Sequence, residues 1–405
     1  MSDIKLKIEK YQPNSLIFIE GNSKIESFYI IRSGQIQTSR IHDLADDANS
    51  EILKQGDTFG VVSCLAGRPR IETIKTLTPV EIIEIKREQL IPLAQKNTPV
   101  IMKILRSFSR KLRNFDASIT RLTLKKPVTE DIKKIKEIAN YYYSKKQYKE
   151  AYITYKKYIH YNPDAPDLQI IKQNMQTIEQ LGINLEEYEQ KDFFTRVYKD
   201  KAMLFCEHEP GDELFIIQNG KVKISKIVGD QELLLAVLEA GDILGEMAIL
   251  ENKPRNASAI AFGDLTTLIV NKSNFLNMVK QKPEVAHKIL SLLSERIWVA
   301  YRQLENITIK DEYKRLLDAL MIQLEKQKIN LNEEITYNTG LGTNEILKLI
   351  GLNQDQKKGE ELVTKLINDT NFKLTNNNII INNLKAFSQH VESIRKFNLK
   401  AVENE

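Results

Sequence analysis

The sequence predicts an α+β multidomain chain: two β-rolls of the jelly-roll kind, a helical insert between them, and a C-terminal segment of helices with a short hairpin. Three observations predict it. Short β-branched and aromatic runs punctuated by glycine occur twice, roughly 190 residues apart. Each set is followed by apolar residues three and four apart, the mark of an amphipathic helix. Between and after them lie stretches with helical rather than alternating patterning.

In the first set, Ser15–Glu20 precedes Gly21, Phe28–Ile31 precedes Ser33-Gly34, and Gln35–Ser39 completes a hairpin. Ile52-Leu53 leads to Gly56-Asp57 and Phe59-Gly60, and Val80–Ile85 closes the roll. The helix after it carries Ile101, Ile104, Leu105, Phe108, Leu112, Phe115 and Ile119. Residues 128–185 are rich in Lys and Tyr, and Ala139, Tyr142, Tyr148, Ala151, Tyr155 and Pro163 fall at the spacing of one tetratricopeptide-like repeat. Small residues there let two antiparallel helices approach while the tyrosines fill the seam. The region around Asp167–Leu181 reads as a capping helix, and a lone repeat suits a docked spacer better than a peptide groove. The second roll repeats the order: Leu204-Phe205, Gly211-Asp212, Leu214–Ile217, Asn219-Gly220, Val222–Ile224, Leu233–Leu238, Gly241-Asp242 and Thr266–Val270. A helix opening after Pro283 carries Ile289, Leu293, Ile297, Ala300, Leu304 and Ile307. Such stripes cover a core or form a helix–helix seam, so a homodimer and an intrachain pseudo-dimer are both open. The boundaries follow: 1–124 and 191–309 for the rolls with their helices, 125–190 for the insert, and 310–405 for the last segment.

The chemistry concentrates in Leu238–Ser258. Gly245 lets the backbone approach a ligand where a β-carbon would obstruct it. Met247–Leu250 reads as one helical turn, and unpaired N–H groups at a helix start favour an anion. Arg255 follows ten residues after Gly245, and its planar guanidinium suits a phosphate bidentately. Glu246 fits beside an anion only if it accepts hydrogen bonds from a neutral polyol such as a ribose hydroxyl. These parts describe a pocket for a sugar phosphate.

Gly245-Glu246-Met247-Ala248 and Arg255-Asn256-Ala257 resemble the phosphate-binding cassette of the cyclic-nucleotide-binding domain family, whose pattern is Gly-Glu-apolar-Ala, a spacer, then Arg-small-Ala. The resemblance implies a cyclic nucleotide, cAMP or cGMP, as effector, with no metal. It further implies that Glu246 holds the ribose hydroxyl, Arg255 the cyclic phosphate, and Ala248 a backbone N–H. Asn256 stands where the family more often has Ser, Thr or Ala. In the family the helix after the roll closes over the ligand and takes part in reading the base, which points to Ala300–Gln303 here. The first roll departs from the pattern. Val61 follows Gly60 in place of the carboxylate, and Ile71-Glu72 follow Arg70. That copy is expected to bind nucleotide weakly or not at all, serving as a packing partner or, through Gly60, Arg68 and Arg70, as a site for another anion.

The last segment opens with a helix around Glu312–Lys326. Asn344–Asn353 then reads as a helix with its turn, Gln354–Asp369 as a second helix, and Phe372–Ile381 as a β-wing. This resembles the winged helix-turn-helix of the catabolite-activator and FNR family, which implies DNA as a partner read by Gln354, Gln356, Lys357 and Lys358 near the start of the second helix. Gly359 is expected to interrupt that helix, and Glu360-Glu361 would face phosphates unfavourably. Residues 311–405 hold 13 Lys and Arg against 14 Asp and Glu, a poor balance for counterion release.

Composition narrows the rest. Apolar content of 42%, charged content of 28% and a net charge of +5 are those of an ordinary globular protein. No run approaches the roughly 20 apolar residues of a membrane span, and the start lacks the apolar core of a signal peptide. Cys64 and Cys206 have no CxxC spacing, and the five histidines form no metal-binding pair. With no catalytic triad, P-loop or metal cluster in the sequence, the reading is a reduced, cytoplasmic, nucleotide-responsive transcription regulator rather than an enzyme. The alternative is a nucleotide-sensing adaptor that acts by protein–protein contact, through the helical segment or the last domain.

Overall fold

The computed structural model describes residues 7–40, 51–124, 131–352 and 356–403; residues 1–6, 41–50, 125–130, 353–355 (Gln354 among them) and 404–405, all included in the expectations above, lie outside them. The first roll contains β1 (Lys7–Tyr11), β2 (Leu16–Phe18), β3 (Ser27–Ser33), β4 (Gln35–Ser39), β5 (Ile52–Lys54), β6 (Thr58–Phe59), the short helix α1 (Val61–Ala66), β7 (Thr73–Thr76) and β8 (Val80–Lys86). The strands form two antiparallel four-stranded sheets, ordered β1-β8-β3-β6 and β2-β7-β4-β5. Alternation along the strands sends Ile31, Ile36, Ile74 and Ile82 inward, where they pack with Phe18 and Phe59. Helices α2 (Leu90–Lys96) and α3 (Thr98–Leu124) follow.

The insert consists of α4 (Lys134–Ser144), α5 (Tyr148–Tyr161) and α6 (Leu168–Glu179). Ala139 and Ala151 are fully buried, with Tyr142 and Tyr155 filling the space beside them. The same apolar cluster takes in Met203, Cys206, Ile227 and Ile260, so the insert shares a core with the second roll.

That roll is built from β9 (Glu189–Gln190), β10 (Thr195–Tyr198), β11 (Met203–Phe205), β12 (Glu213–Val228), β13 (Gln231–Leu238), β14 (Ile243–Leu244), α7 (Glu246–Glu251) and β15 (Ser258–Asn271). Here β12 and β15 are continuous strands where the first roll has β3 with β4 and β7 with β8. Register shifts at Asn219 let the long β12–β15 ladder bend.

The remaining elements are α8 (Lys272–Gln281), α9 (Pro283–Ile307), α10 (Glu312–Lys326), β16 (Tyr337–Gly342), α11 (Thr343–Leu349), α12 (Gln356–Asn368), β17 (Phe372–Thr375), β18 (Asn378–Ile381) and α13 (Leu384–Glu403). The strands among them form a sheet ordered β16-β18-β17. Gly359 was expected to break its helix, yet α12 runs through it. A β-carbon there would lie 3.2 Å from Leu347 Cδ1, so the glycine permits close approach to α11, and its helix cost of roughly 1 kcal/mol is tolerated.

The chain divides into two compact units. One comprises Met1–Phe115, Leu276–Thr339 and Ile381–Glu405; the other comprises Asp116–Phe275 and Gly340–Ile380. In the first unit α9 packs on α1 and α2 of the first roll. All six residues of α1, Val61, Val62, Ser63, Cys64, Leu65 and Ala66, are buried, and α9 brings Ile289, Leu293 and Ile297 of its apolar stripe into the interior of the same unit. The helix assigned from sequence to the second roll's ligand, including Ala300–Gln303, is thus grouped with the first roll. Within the same unit Arg395 of α13 clamps α10, pairing with Asp318 at 2.5 Å and Glu325 at 2.7 Å.

Candidate functional site

The second roll places the whole cassette within one unit. Gly245 ends the run from β14 in a left-handed conformation, φ 82°, which frees the chain to turn directly into α7. Glu246 opens that helix and is fully buried; Met247, Ala248 and Ala257 are buried with it. Arg255 is 5% exposed. Its Nη1 donates to the Gly245 carbonyl at 2.8 Å and its Nη2 to the Glu213 carbonyl at 2.8 Å. The guanidinium stacks over the Phe205 ring at 4.4 Å. Backbone pairing fixes the residue from its other side: Arg255 N–H donates to the Glu209 carbonyl, and His208 N–H donates to the Arg255 carbonyl.

Two glycines make room for this arginine. A β-carbon on Gly245 would fall 2.6 Å from Arg255 Nη1, and one on Gly211 would fall 2.3 Å from its Cζ and Nε. Sequence reading took Gly211 only as a turn; its service to Arg255 becomes visible once the chain has folded. A guanidinium has five N–H donors. Two go to carbonyls here, and Nε, although buried, has no hydrogen-bond partner. Burial pulls the Arg255 guanidinium below its usual range, against the attraction of Glu209, Glu246, Glu213 and Asp212. A buried cation with donors left over, beside a buried carboxylate, fits a ligand that combines an anionic phosphate with neutral hydroxyls.

The first roll repeats the frame but closes it. Gly60 adopts φ 71°, and Arg70 lies over the Phe18 ring at 4.3 Å. Its Nη1 donates to Gly60 O at 2.9 Å, Nη2 to Ser27 O at 2.9 Å, and Nε to Lys24 O at 3.0 Å. Every guanidinium nitrogen therefore has a backbone partner. Glu72, at the position of Ala257, is buried and paired with Lys111 of α3 at 3.0 Å. Arg68 stacks on Trp298 at 4.7 Å, donates to the Glu325 carbonyl and pairs with Glu295, so it anchors α9 and α10.

Asn256 is half-buried and donates to Asp116 Oδ2 of α3 at 2.6 Å, a contact 140 residues distant in sequence that no local pattern signals. On the C-terminal segment Lys357 and Lys358 are exposed on the first turn of α12, and Gln356 begins that helix. The preceding helix is held on the roll: Lys348 pairs with Glu232 of β13, and Glu345 pairs with Lys223 of β12 at 3.1 Å.

Comparison with known proteins bears on both rolls. The family model for the cyclic nucleotide-binding domain matches residues 8–97 and 195–282. A cyclic AMP receptor protein from Thermus thermophilus is 31% identical over 130 residues, covering 32% of this chain and 60% of that protein. A CRP-like cAMP-activated global transcriptional regulator from Mycobacterium tuberculosis is 26% identical over 153 residues, covering 38% of this chain and 68% of that protein. Among solved structures, a CooA variant from Carboxydothermus hydrogenoformans aligns with TM-score 0.42 and 21% identity, over 53% of this chain and 94% of that one. No helix among the described residues is long and apolar enough to cross a membrane, and no group of metal-binding side chains occurs among them. The chain therefore carries cyclic-nucleotide-binding domain matches on jelly-roll-like β sheets with helices, and the two relatives named here are a cyclic AMP receptor protein and a cAMP-activated transcriptional regulator.

Proposed function

We propose that this chain is a cyclic-nucleotide-responsive regulator that takes cAMP or cGMP in its second roll. Arg255 meets the cyclic phosphate, Glu246 the ribose hydroxyl, and the backbone of Met247 and Ala248 lies against the ligand. The carrying observation is the contrast between the two arginines: every guanidinium nitrogen of Arg70 donates to a backbone carbonyl, of Lys24, Gly60 or Ser27, whereas Arg255 keeps a buried Nε without a partner. The relatives named as a cyclic AMP receptor and a cAMP-activated regulator favour the same reading. The first roll then serves as a packing partner, and residues 125–190 as a tetratricopeptide-like spacer. The output is a winged-helix-like transcription-regulatory segment, residues 310–405. A nucleotide alters that segment only as far as it binds one arrangement better than the other.

Calorimetric titration with cAMP and with cGMP tests the sensor. One site per chain is expected, lost in Arg255→Ala; no heat with either nucleotide overturns the reading. A second reading, an adaptor with a protein partner, is favoured by one feature. The α11 side chains Glu345 and Lys348 are engaged with the roll, and α12 exposes Glu360 and Glu361 beside its lysines. Gel shifts with genomic fragments separate the outputs. DNA binding should fall steeply with salt, and removing Lys357 and Lys358 should lower the salt slope by about one each. No shift with or without nucleotide selects the adaptor.

A further inference from the structure

One side chain of the helical insert reaches the loop segment whose backbone pairs with the cassette arginine. Lys157 of α5 pairs with Glu209, Nζ lying 2.9 Å from Oε2 and 3.2 Å from Oε1. Both partners are largely withdrawn from water, with side-chain exposures of 19% and 6%. Glu209 is also the residue whose carbonyl accepts the Arg255 N–H, at 2.8 Å. Ser258 at the start of β15 accepts from the neighbouring Glu207 N–H at 3.0 Å, so this short ladder fixes Glu209 beside Arg255. A buried carboxylate next to a buried guanidinium is the natural competitor of any phosphate that seeks the same cation.

We infer that Lys157 is a positioning residue for the nucleotide site: by engaging the Glu209 carboxylate it keeps Arg255 available to the ligand's phosphate, which makes the helical insert a working part of the sensor. The charges around the pair agree. Among carboxylates acting on Arg255, Glu209 exerts the largest attraction. Burial pushes the Glu209 carboxyl up, with Lys157 and, after it, Arg255 pulling it back. One turn along α5 from Lys157, burial pushes the Tyr161 hydroxyl up, with Glu209 adding to the rise and Lys157 and Arg255 opposing it. The inference rests on nucleotide binding in the second roll and adds the element that tunes it.

The test is a double-mutant cycle on the full chain, read by calorimetry with cAMP and cGMP and by thermal unfolding. Lys157→Met leaves Glu209 to compete for Arg255 and should weaken nucleotide binding roughly tenfold, within the 5- to 150-fold usual for coupled sites. Glu209→Gln should bind at least as tightly as the parent chain, and Lys157→Met with Glu209→Gln should recover parental affinity. Recovery separates electrostatic competition from packing, because a packing role would leave the double variant as weak as Lys157→Met or weaker. Lys157→Arg keeps the charge and should bind like the parent; it and Glu209→Gln keep the test open if Lys157→Met does not fold. Unchanged affinity in Lys157→Met, a double variant without recovery, or weaker binding in Glu209→Gln overturns the inference while leaving the nucleotide site standing. A parent chain that binds neither nucleotide overturns both.

Discussion

Replacing Gly245 with alanine should disable the nucleotide site without removing any charged group. Two effects are combined in that substitution, and the structure allows them to be separated. Gly245 has φ 82°, where a non-glycine residue costs roughly 1–2 kcal/mol. The new β-carbon would also sit 2.6 Å from Arg255 Nη1 and 3.1 Å from the Glu213 carbonyl oxygen. The guanidinium must then leave its bonds to the Gly245 and Glu213 carbonyls, each a hydrogen bond to a charged group worth about 1.5–3 kcal/mol. Gly241 is the control. Its φ of 95° carries the same backbone strain, but a β-carbon there meets nothing within 4 Å. Gly241→Ala should therefore lose about 1–2 kcal/mol of stability and keep nucleotide affinity. Gly245→Ala should lose more stability and roughly 10- to 100-fold in affinity, since 1.4 kcal/mol corresponds to tenfold. Urea unfolding and calorimetry supply the two readouts. If both variants bind equally well, Arg255 does not hold the ligand and the site is misassigned.

Two further tests concern the buried ion pairs. In the first roll burial would push the Glu72 carboxyl up, but Lys111, Arg40 and Arg70 overcome it and hold the group below the usual 4.5. A depressed folded-state value means the unfolded chain binds more protons near that pH, so the stabilisation is present above about 4.5 and is lost as pH falls through the folded value. Glu72→Gln should flatten this part of the acid limb in urea midpoints measured against pH; an unaltered limb would show that the pair contributes no such dependence. In the second unit Lys348→Met should leave Glu232 buried without its ammonium, destabilise the chain by about 3–5 kcal/mol, and remove amide-exchange protection from residues 343–349. Retained protection there would mean that apolar packing alone holds α11 on the roll.

Much of the candidate site was legible because it is local. The order Gly245-Glu246 then Arg255 lies within one turn, one short helix and one loop, and each residue type has a narrow chemical use. Duplication of the rolls was equally legible, since a glycine that needs positive φ recurs at Gly60 and Gly245. Gly359 misled the reading, because a glycine in sequence looks like a break until the helix it packs against is known.

The amino-acid sequence by itself determined the two rolls, the helical stretches and the spacing of Gly245, Glu246 and Arg255 in the candidate site, all of which depend on neighbours within about a dozen residues. Tertiary structure alone decided what surrounds the arginine. The Glu213 carbonyl, the Phe205 ring, the Gly211 clearance, the Lys157–Glu209 pair and the Asn256–Asp116 bond join residues from 42 to 140 positions apart. It also decided that α9 packs on the first roll. An amphipathic stripe states that a face must be buried but not against what; hydrophobic burial is non-directional, so the partner is chosen only when complementary surfaces meet.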